Sequence, residues 1–467
     1  MKKKISISIL SAIIGYSLFS PQLPNIVYAQ TPANNTAEQT INDNIPTDMV
    51  RINKTPLTKE KISANKDISN VLLADKNATE KTKELMAYLK DITQQNKVIF
   101  GHQNDITTKV TPQQLNPNAS QIIQDGTHSA TTNSNIKDIT GSISGIFGID
   151  TLAIGGCELG ISDPNLAIER SVDLCLNAAN QGAIITVSTH MPNFGSKNIK
   201  KLPDGTYDFT KCDFMDSKDL SGTAKDILPG GKNNEAFNAY IDMIGKFALK
   251  LQEKNIPILF RPFHENNGSW FWWGGDNMKP QDSIKLFRYL ADRLKAQGVH
   301  NLIYVYSPNG PATDEKTYMS RYPGDDYVDV LAVDYYDDYV TTPAKFREDF
   351  FKQLNTSCQL ITKIAKEHNK LSAIAETGTR VMKKDNSNYD GLLTKDNPIV
   401  GHDWFKQVGQ IAINNDMPYY LLWANYSQFN CYTPYKYNND YGHELVDDFI
   451  DFYNWDSSVF ANGANFY

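Results

Sequence analysis

Two glutamates are placed to do chemistry. Glu265 lies in "RPFHENNGSWFWWGG" (261–275) and Glu376 in "LSAIAETG" (371–378), each at the end of an apolar run. Trp270, Phe271, Trp272 and Trp273 follow Glu265 closely, so three of the chain's six tryptophans crowd one carboxylate. Apolar surroundings penalise the charged form of a carboxyl, which suits Glu265 to hold a proton near neutral pH and to act as a general acid and base. Glu376 would then be the ionised partner and nucleophile, which calls for nearby donors such as Arg261 or Tyr336.

For the two carboxylates to meet, separate strands must carry them to one end of a common sheet. Eight runs have strand character: "KVIFGHQND" (97–105), "GIFGID" (145–150), "AIITVSTH" (183–190), "IPILFRPFHE" (256–265), "NLIYVYSP" (301–308), "VDVLAVDYY" (328–336), "LSAIAETG" (371–378) and "PYYLLWAN" (418–425). They are continuously apolar rather than alternating, as expected of a parallel sheet covered on both faces. Helical stretches separate them. Thr79 is placed to cap a helix with Leu85, Tyr88, Leu89 and Ile92 on one face. Others are expected at about 165–180 (ending at Gly182), 235–254, 281–297, 343–368 and 402–415. Eight such β-then-α units predict an α/β fold, a (β/α)8 TIM barrel forming a single catalytic domain. The long connections 151–164 and 191–234 belong at its C-terminal rim.

A barrel gathers its strand ends at one mouth, and polar residues sit there in every run but one. They are His102 and Gln103, Asp150, His190, Arg261 with His264 and Glu265, Asp334 and Tyr336, Glu376, and Asn425 beside Trp423. The substrate-binding candidates are His102, Asp150, His190, Arg261, His264, Asp334, Tyr336 and the tryptophans Trp270, Trp273 and Trp423. The strands of Glu265 and Glu376 can face each other across the mouth. Retaining cleavage of a glycosidic bond uses such a pair, one carboxyl as acid/base and one as nucleophile. Flat indole faces suit pyranose rings. The tryptophans could instead be core packing, but Asn266, Asn267, Gly268, Gly274 and Gly275 around them indicate a loop, and hence a binding surface. "DYYDDY" (334–339) could bind calcium, though Asp334 is better spent in the site.

"RPFHENNGSWFWWGG" resembles the acid/base motif of glycoside hydrolase family 26, whose best-known members are β-mannanases. His264 discriminates, since most related barrel families carry Asn before the acid. "FGHQ" (100–103), "ITVSTH" (185–190), "LAVDYY" (331–336), "AIAETG" (373–378) and "LLWAN" (421–425) resemble further family segments, in order, over roughly residues 80–460. The resemblance implies retaining cleavage of β-1,4-mannan, galactomannan or glucomannan, with Glu265 as acid/base and Glu376 as nucleophile. It also implies that Tyr336 donates to the nucleophile, that Trp270 and Trp423 stack against sugars, that His190 reaches a sugar and that His264 contacts the sugar or tunes the carboxylates. Thr189, Met191 and Ala424 depart from the β-mannanase pattern, which leaves a β-glucanase or β-xylanase as the alternative. A non-catalytic carbohydrate-binding protein is the other class. The presence of both carboxylates favours an enzyme.

The rest of the chain sets the context. Lys2, Lys3 and Lys4, the apolar run Ile5 to Phe19 and Val27-Tyr28-Ala29 read as a secretory signal peptide over 1–29. A secreted, extracellular protein is expected, with no membrane span after cleavage. Residues 30–57 read as a flexible polar segment and 58–467 as the catalytic domain. A net charge of -7 argues against nucleic acid as partner. The eight histidines and five cysteines show no metal-ligand spacing, so neither a metal nor another cofactor is expected. The odd cysteine set allows either one bridge or buried free thiols. A monomer is expected, acting on a β-mannan-type polysaccharide.

Overall fold

The computed structural model describes residues 45–46, 49–63, 65–110, 123–124, 134–216, 224–339, 346–382, 389–392, 398–426 and 430–467. The expected signal peptide lies outside them. Eight strands carry the site: β1 (Val98–Gln103), β2 (Ile146–Asp150), β3 (Ile184–Ser188), β4 (Ile258–Arg261), β5 (Leu302–Tyr306), β6 (Val330–Tyr339), β7 (Leu371–Met382) and β8 (Tyr419–Leu422). Each pairs in parallel with the next. The β6–β7 and β8–β1 ladders close the ring, giving the (β/α)8 barrel. The helices used below are α1 (Glu80–Gln94), α2 (Asn135–Thr140), α3 (Pro164–Asn180), α4 (Asn234–Gln252), α5 (Pro280–Ala296), α6 (Glu348–Glu367), α7 (Trp404–Asn414) and α8 (Val446–Asn454). Among the described residues, no helix is long and apolar enough to cross a membrane.

Strand alternation sorts the core into two layers. Ile99, Ile146, Ile184, Leu259, Ile303, Val330, Ala373 and Leu421 fill the barrel, and Leu85, Tyr88, Leu89 and Ile92 of α1 close it from below. The opposite faces of the strands meet the helices in a larger cluster. Thr79 caps α1, its hydroxyl accepting the Thr82 amide at 3.2 Å. Asp163 caps α3, with Pro164 starting the helix.

Local departures from regularity shape the mouth. Along β6 and β7 the register shifts between Val333 and Asp334: Val333 pairs with Ile374, but Asp334 pairs with Glu376. Ala375 is the extra residue, so both Ala375, which joins the interior cluster, and Glu376 face inward. Strand β4 ends at Arg261, just after its apolar run. Phe263 and Glu265 then take left-handed backbone angles, φ +51° and +49°. The Glu265 amide donates to the Ser307 carbonyl at 2.8 Å. Non-glycine residues in this region are uncommon and concentrate where a side chain must be aimed.

The N-terminal boundary needs correction. Val50 and Arg51 pair antiparallel with Tyr441 and Gly442. The Asn53 amide donates to Asp447 at 3.1 Å, and the Leu57 amide to Asn454 at 2.8 Å. The fold therefore begins before residue 58, because these backbone groups find partners on and before α8. That helix and α2 are short, nine and six residues, and were not expected.

Candidate active site

Glu376 is held from two sides. The Tyr336 hydroxyl donates to Oε1 at 2.5 Å, and Arg261 Nη2 donates to Oε2 at 2.6 Å. The same guanidinium donates through Nη1 to Asp334 Oδ2 at 2.5 Å, and Ser307 donates to the other Asp334 oxygen. Burial alone would weaken the Arg261 cation, but Asp334 and Glu376 hold it firmly charged. β4, β5, β6 and β7 thus fix the nucleophile candidate together.

Glu265 has a different setting. Its surface is partly open, but its carboxyl is enclosed by protein. Burial first, and the charge of Glu376 second, push its pKa up to about 7, against weaker opposing effects of Arg380, Trp270 and Arg261. Trp270 Nε1 donates to Oε2 at 2.7 Å. A carboxyl of this kind can carry a proton near neutrality and release it within the working range.

Histidines and aromatics complete the mouth. The His190 ring meets Asp150 Oδ2 through Nδ1 at 2.8 Å. Asp150 also accepts the Ser188 hydroxyl at 2.5 Å and the Leu152 and His190 amides at 3.0 Å. Burial opposes protonation of His190, but Asp150 and then Glu376 outweigh it and raise its pKa. His264 is pushed well below its ordinary value by burial, Arg261 and His190, so it stays neutral. The two imidazoles meet edge to face at 4.5 Å, with Trp423 5.5 Å from His190. His264 Nδ1 and Trp423 Nε1, both buried, have no hydrogen-bond partner among the described residues.

Several candidates play other parts. His102 is not at the site: alternation along β1 puts it with Val98 and Phe100, facing the helices, 3.7 Å from Asp105. The inward residue is Gln103, whose side chain lies over Gly148; a Cβ there would sit 2.1 Å from Gln103 Oε1. Asp150 and Asp334 are fully buried, and they orient His190 and Arg261 rather than touch substrate. The aromatic run is mostly core. Trp273, Trp272 and Phe271 are 0%, 3% and 5% exposed. Trp273 and Trp272 donate to the His264 and Met191 carbonyls at 2.9 and 3.0 Å. Phe271 stacks on Trp273 at 4.3 Å. Only Trp270 keeps an open surface, so Trp273 supports the floor of the site instead of binding sugar. In "DYYDDY", Asp337 packs against Trp404 and Asp338 pairs with Arg380, so these carboxylates do not converge on a cation site.

Asn425 was expected at the mouth, whereas Glu158 was not anticipated. Asn425 does not face substrate; its side-chain oxygen accepts the amides of Tyr432 and Thr433 at 2.8 and 3.0 Å, holding that loop. Glu158 lies beside Asp150 and His190, and burial first, then Asp150, push it up to about 8. The Cys157–Cys212 disulfide next to it joins the two rim connections, while Cys175 and Cys358 are buried free thiols and the buried Cys431 thiol donates to the Leu392 carbonyl at 3.6 Å. No spacing in the chain announces that pairing.

A closed parallel barrel, with a proton-holding glutamate at its mouth close enough to feel the charge of a second, defines a barrel of the glycoside hydrolase class. Among such barrels, this chain belongs to glycosyl hydrolase family 26, whose profile matches residues 74–416. It is 30% identical over 385 residues to a mannan endo-1,4-beta-mannosidase of Bifidobacterium adolescentis, covering 79% of this chain and 34% of that protein. A Bacillus subtilis protein of the same name is 29% identical over 278 residues, 56% of this chain and 65% of its own length. The chain thus spans about a third of the first relative and just under two thirds of the second. The solved catalytic domain of a GH26 endo-beta-1,4-mannanase from Bacillus sp. JAMB-750 superposes with a TM-score of 0.70 at 29% identity, covering 87% of this chain and 98% of that one.

Proposed function

We propose that the protein is a secreted, retaining endo-β-1,4-mannanase. The observation that carries this reading is the contrast between the two glutamates. Glu265 has a pKa pushed up to about 7 by burial and Glu376, whereas Glu376 is fixed by Arg261 and Tyr336. In the first step Glu376 attacks the anomeric carbon while Glu265 gives its proton to the departing glycosidic oxygen. One carbon–oxygen bond forms to the enzyme and one breaks to the leaving chain. In the second step Glu265, now a carboxylate, takes a proton from water. The resulting hydroxide character attacks the same carbon, and Glu376 leaves as the carboxylate.

The named activities of the relatives support mannan as substrate. The basic, apolar and small-residue pattern at residues 1–29 supports export. The disulfide supports an oxidising destination. The test is product analysis on mannan, glucomannan, mixed-linkage glucan and xylan with the wild type and Glu376→Ala. Mannan oligosaccharides of mixed length, lost in the variant, are the expected outcome. Preferential release from glucan or xylan would overturn the substrate, and wild-type turnover by the variant would overturn the mechanism.

A further inference from the structure

The inward face of β6 and β7 continues above the level of the two glutamates. Three cross-strand pairs stack along it: Asp334 with Glu376, Tyr336 with Gly378, and Asp338 with Arg380. Arg380 is 7% exposed. Its guanidinium donates to both Asp338 oxygens, Nε to one and Nη2 to the other at 3.3 Å. Its central carbon lies 3.9 Å from the centre of the Tyr336 ring, the distance of a close cation–π stack.

The middle rung is shaped to allow this. A Cβ at position 378 would sit 2.5 Å from the Tyr432 ring and 3.2 Å from that of Tyr336, so only glycine leaves room for both rings. Tyr432 is brought there by the loop that Asn425 holds, and its ring packs against Tyr336 at 5.8 Å and 65°. The Tyr336 ring is therefore gripped by Arg380 and Tyr432, while its hydroxyl donates to Glu376. The contacts run unbroken from Asp338 through Arg380 and Tyr336 to the nucleophile.

We propose that Arg380 is a positioning residue of the double displacement: clamped by Asp338 and stacked on Tyr336, it fixes the hydroxyl that donates to Glu376 and sets a second positive charge above the catalytic carboxylates. This rests on the proposed reaction. Arg261, the cation below, is shared between Asp334 and Glu376, whereas Arg380 pairs with Asp338. The charged groups acting on Glu265 are Glu376 and Arg380 from β7, Arg261 from β4 and Asp334 from β6. Of these, Arg380 is the larger influence favouring the ionised form. Lysine would keep the charge but lose the planar fork that grips Asp338 and covers the ring.

Two variants separate the two halves of the proposal. Arg380→Met removes charge and fork while keeping an apolar stem; Arg380→Lys removes the fork alone. The first readout needs no substrate: carbon NMR titration of labelled glutamate side chains, with Glu265 assigned through Glu265→Gln. The Glu265 midpoint should rise by roughly half a pH unit or more in Arg380→Met and stay near wild type in Arg380→Lys. The second is the split between kcat and KM on mannohexaose. In both variants kcat should fall by roughly tenfold or more while KM changes little, the mark of an interaction made in the transition state. An unmoved midpoint in folded Arg380→Met overturns the charge role, and wild-type kcat in Arg380→Lys overturns the positioning role. If Arg380→Met does not fold, the lysine variant still decides the positioning role, and Arg380→Gln replaces methionine in the titration. Wild-type protein that leaves mannohexaose uncut overturns the mannanase reading instead, and the midpoints still report on the charge.

Discussion

Holding Glu265 ready for catalysis destabilises the fold, and Glu265→Gln should reveal by how much. The carboxyl is displaced from 4.5 to about 7. At about 1.4 kcal/mol per pH unit, ionising it in the folded protein is disfavoured by roughly 3 kcal/mol relative to the unfolded chain. The direction follows from proton binding. Between pH 4.5 and 7 the folded protein holds a proton on Glu265 that the unfolded chain has released. Raising the pH through this window therefore lowers the stability of the wild type. Glutamine has the same shape, keeps an oxygen for the Trp270 indole N–H and cannot ionise. Glu265→Gln should match the wild type below about pH 4.5 and become more stable above it, by up to roughly 3 kcal/mol beyond pH 7. Urea unfolding of both proteins from pH 4 to 8.5 measures the difference, and the variant should lose activity throughout. A stability difference that is flat with pH, or one in which the wild type gains on the variant as pH rises, would refute the assignment of Glu265 as the buried, proton-holding carboxyl.

Other perturbations probe the supporting structure. Trp270→Ala should reduce kcat/KM sharply with little change in thermal stability, whereas Trp273→Ala, emptying a fully buried position, should cost about 3–5 kcal/mol of stability. Equal effects on activity and stability in the two variants would contradict the separation of wall from floor. Cys212→Ser opens a cross-link between residues 55 apart, for which chain entropy gives a loss of about 4 kcal/mol. It also frees Phe214, which meets the His190 ring at 4.8 Å, so KM should rise as stability falls. Unfolding curves and initial rates on mannan, with and without reductant, check both effects.

The barrel was legible because its strands are buried on both faces and so read as unbroken apolar runs. The two glutamates were legible because each ends such a run. What the sequence hid is mostly a matter of parity and partners. His102 and Gln103 are adjacent, and only the alternation of β1 decides which faces the mouth. The extra residue Ala375 turns Glu376 inward, and nothing in "AIAETG" marks a bulge. The tryptophan-rich stretch has the composition of a loop. Whether its rings point out or in depends on two main-chain carbonyls, of Met191 and His264, that accept the indole N–H groups. Arg380 escaped notice because β7 extends beyond the residue where its apolar run ends. With the bulge known, the spacing Glu376, Gly378, Arg380 on one face would have pointed to it.

The central claim is that Glu376 forms a bond to the sugar while Glu265 moves the proton. A 2-deoxy-2-fluoro-β-mannosyl fluoride slows both steps but keeps a good leaving group, so the glycosyl-enzyme accumulates, and mass spectrometry of the digested protein locates the label. The expected result is one sugar per chain, attached to the peptide that carries Glu376 and released on adding an acceptor sugar. A fluorosugar turned over without any covalent adduct, or a label on Glu265, would contradict it.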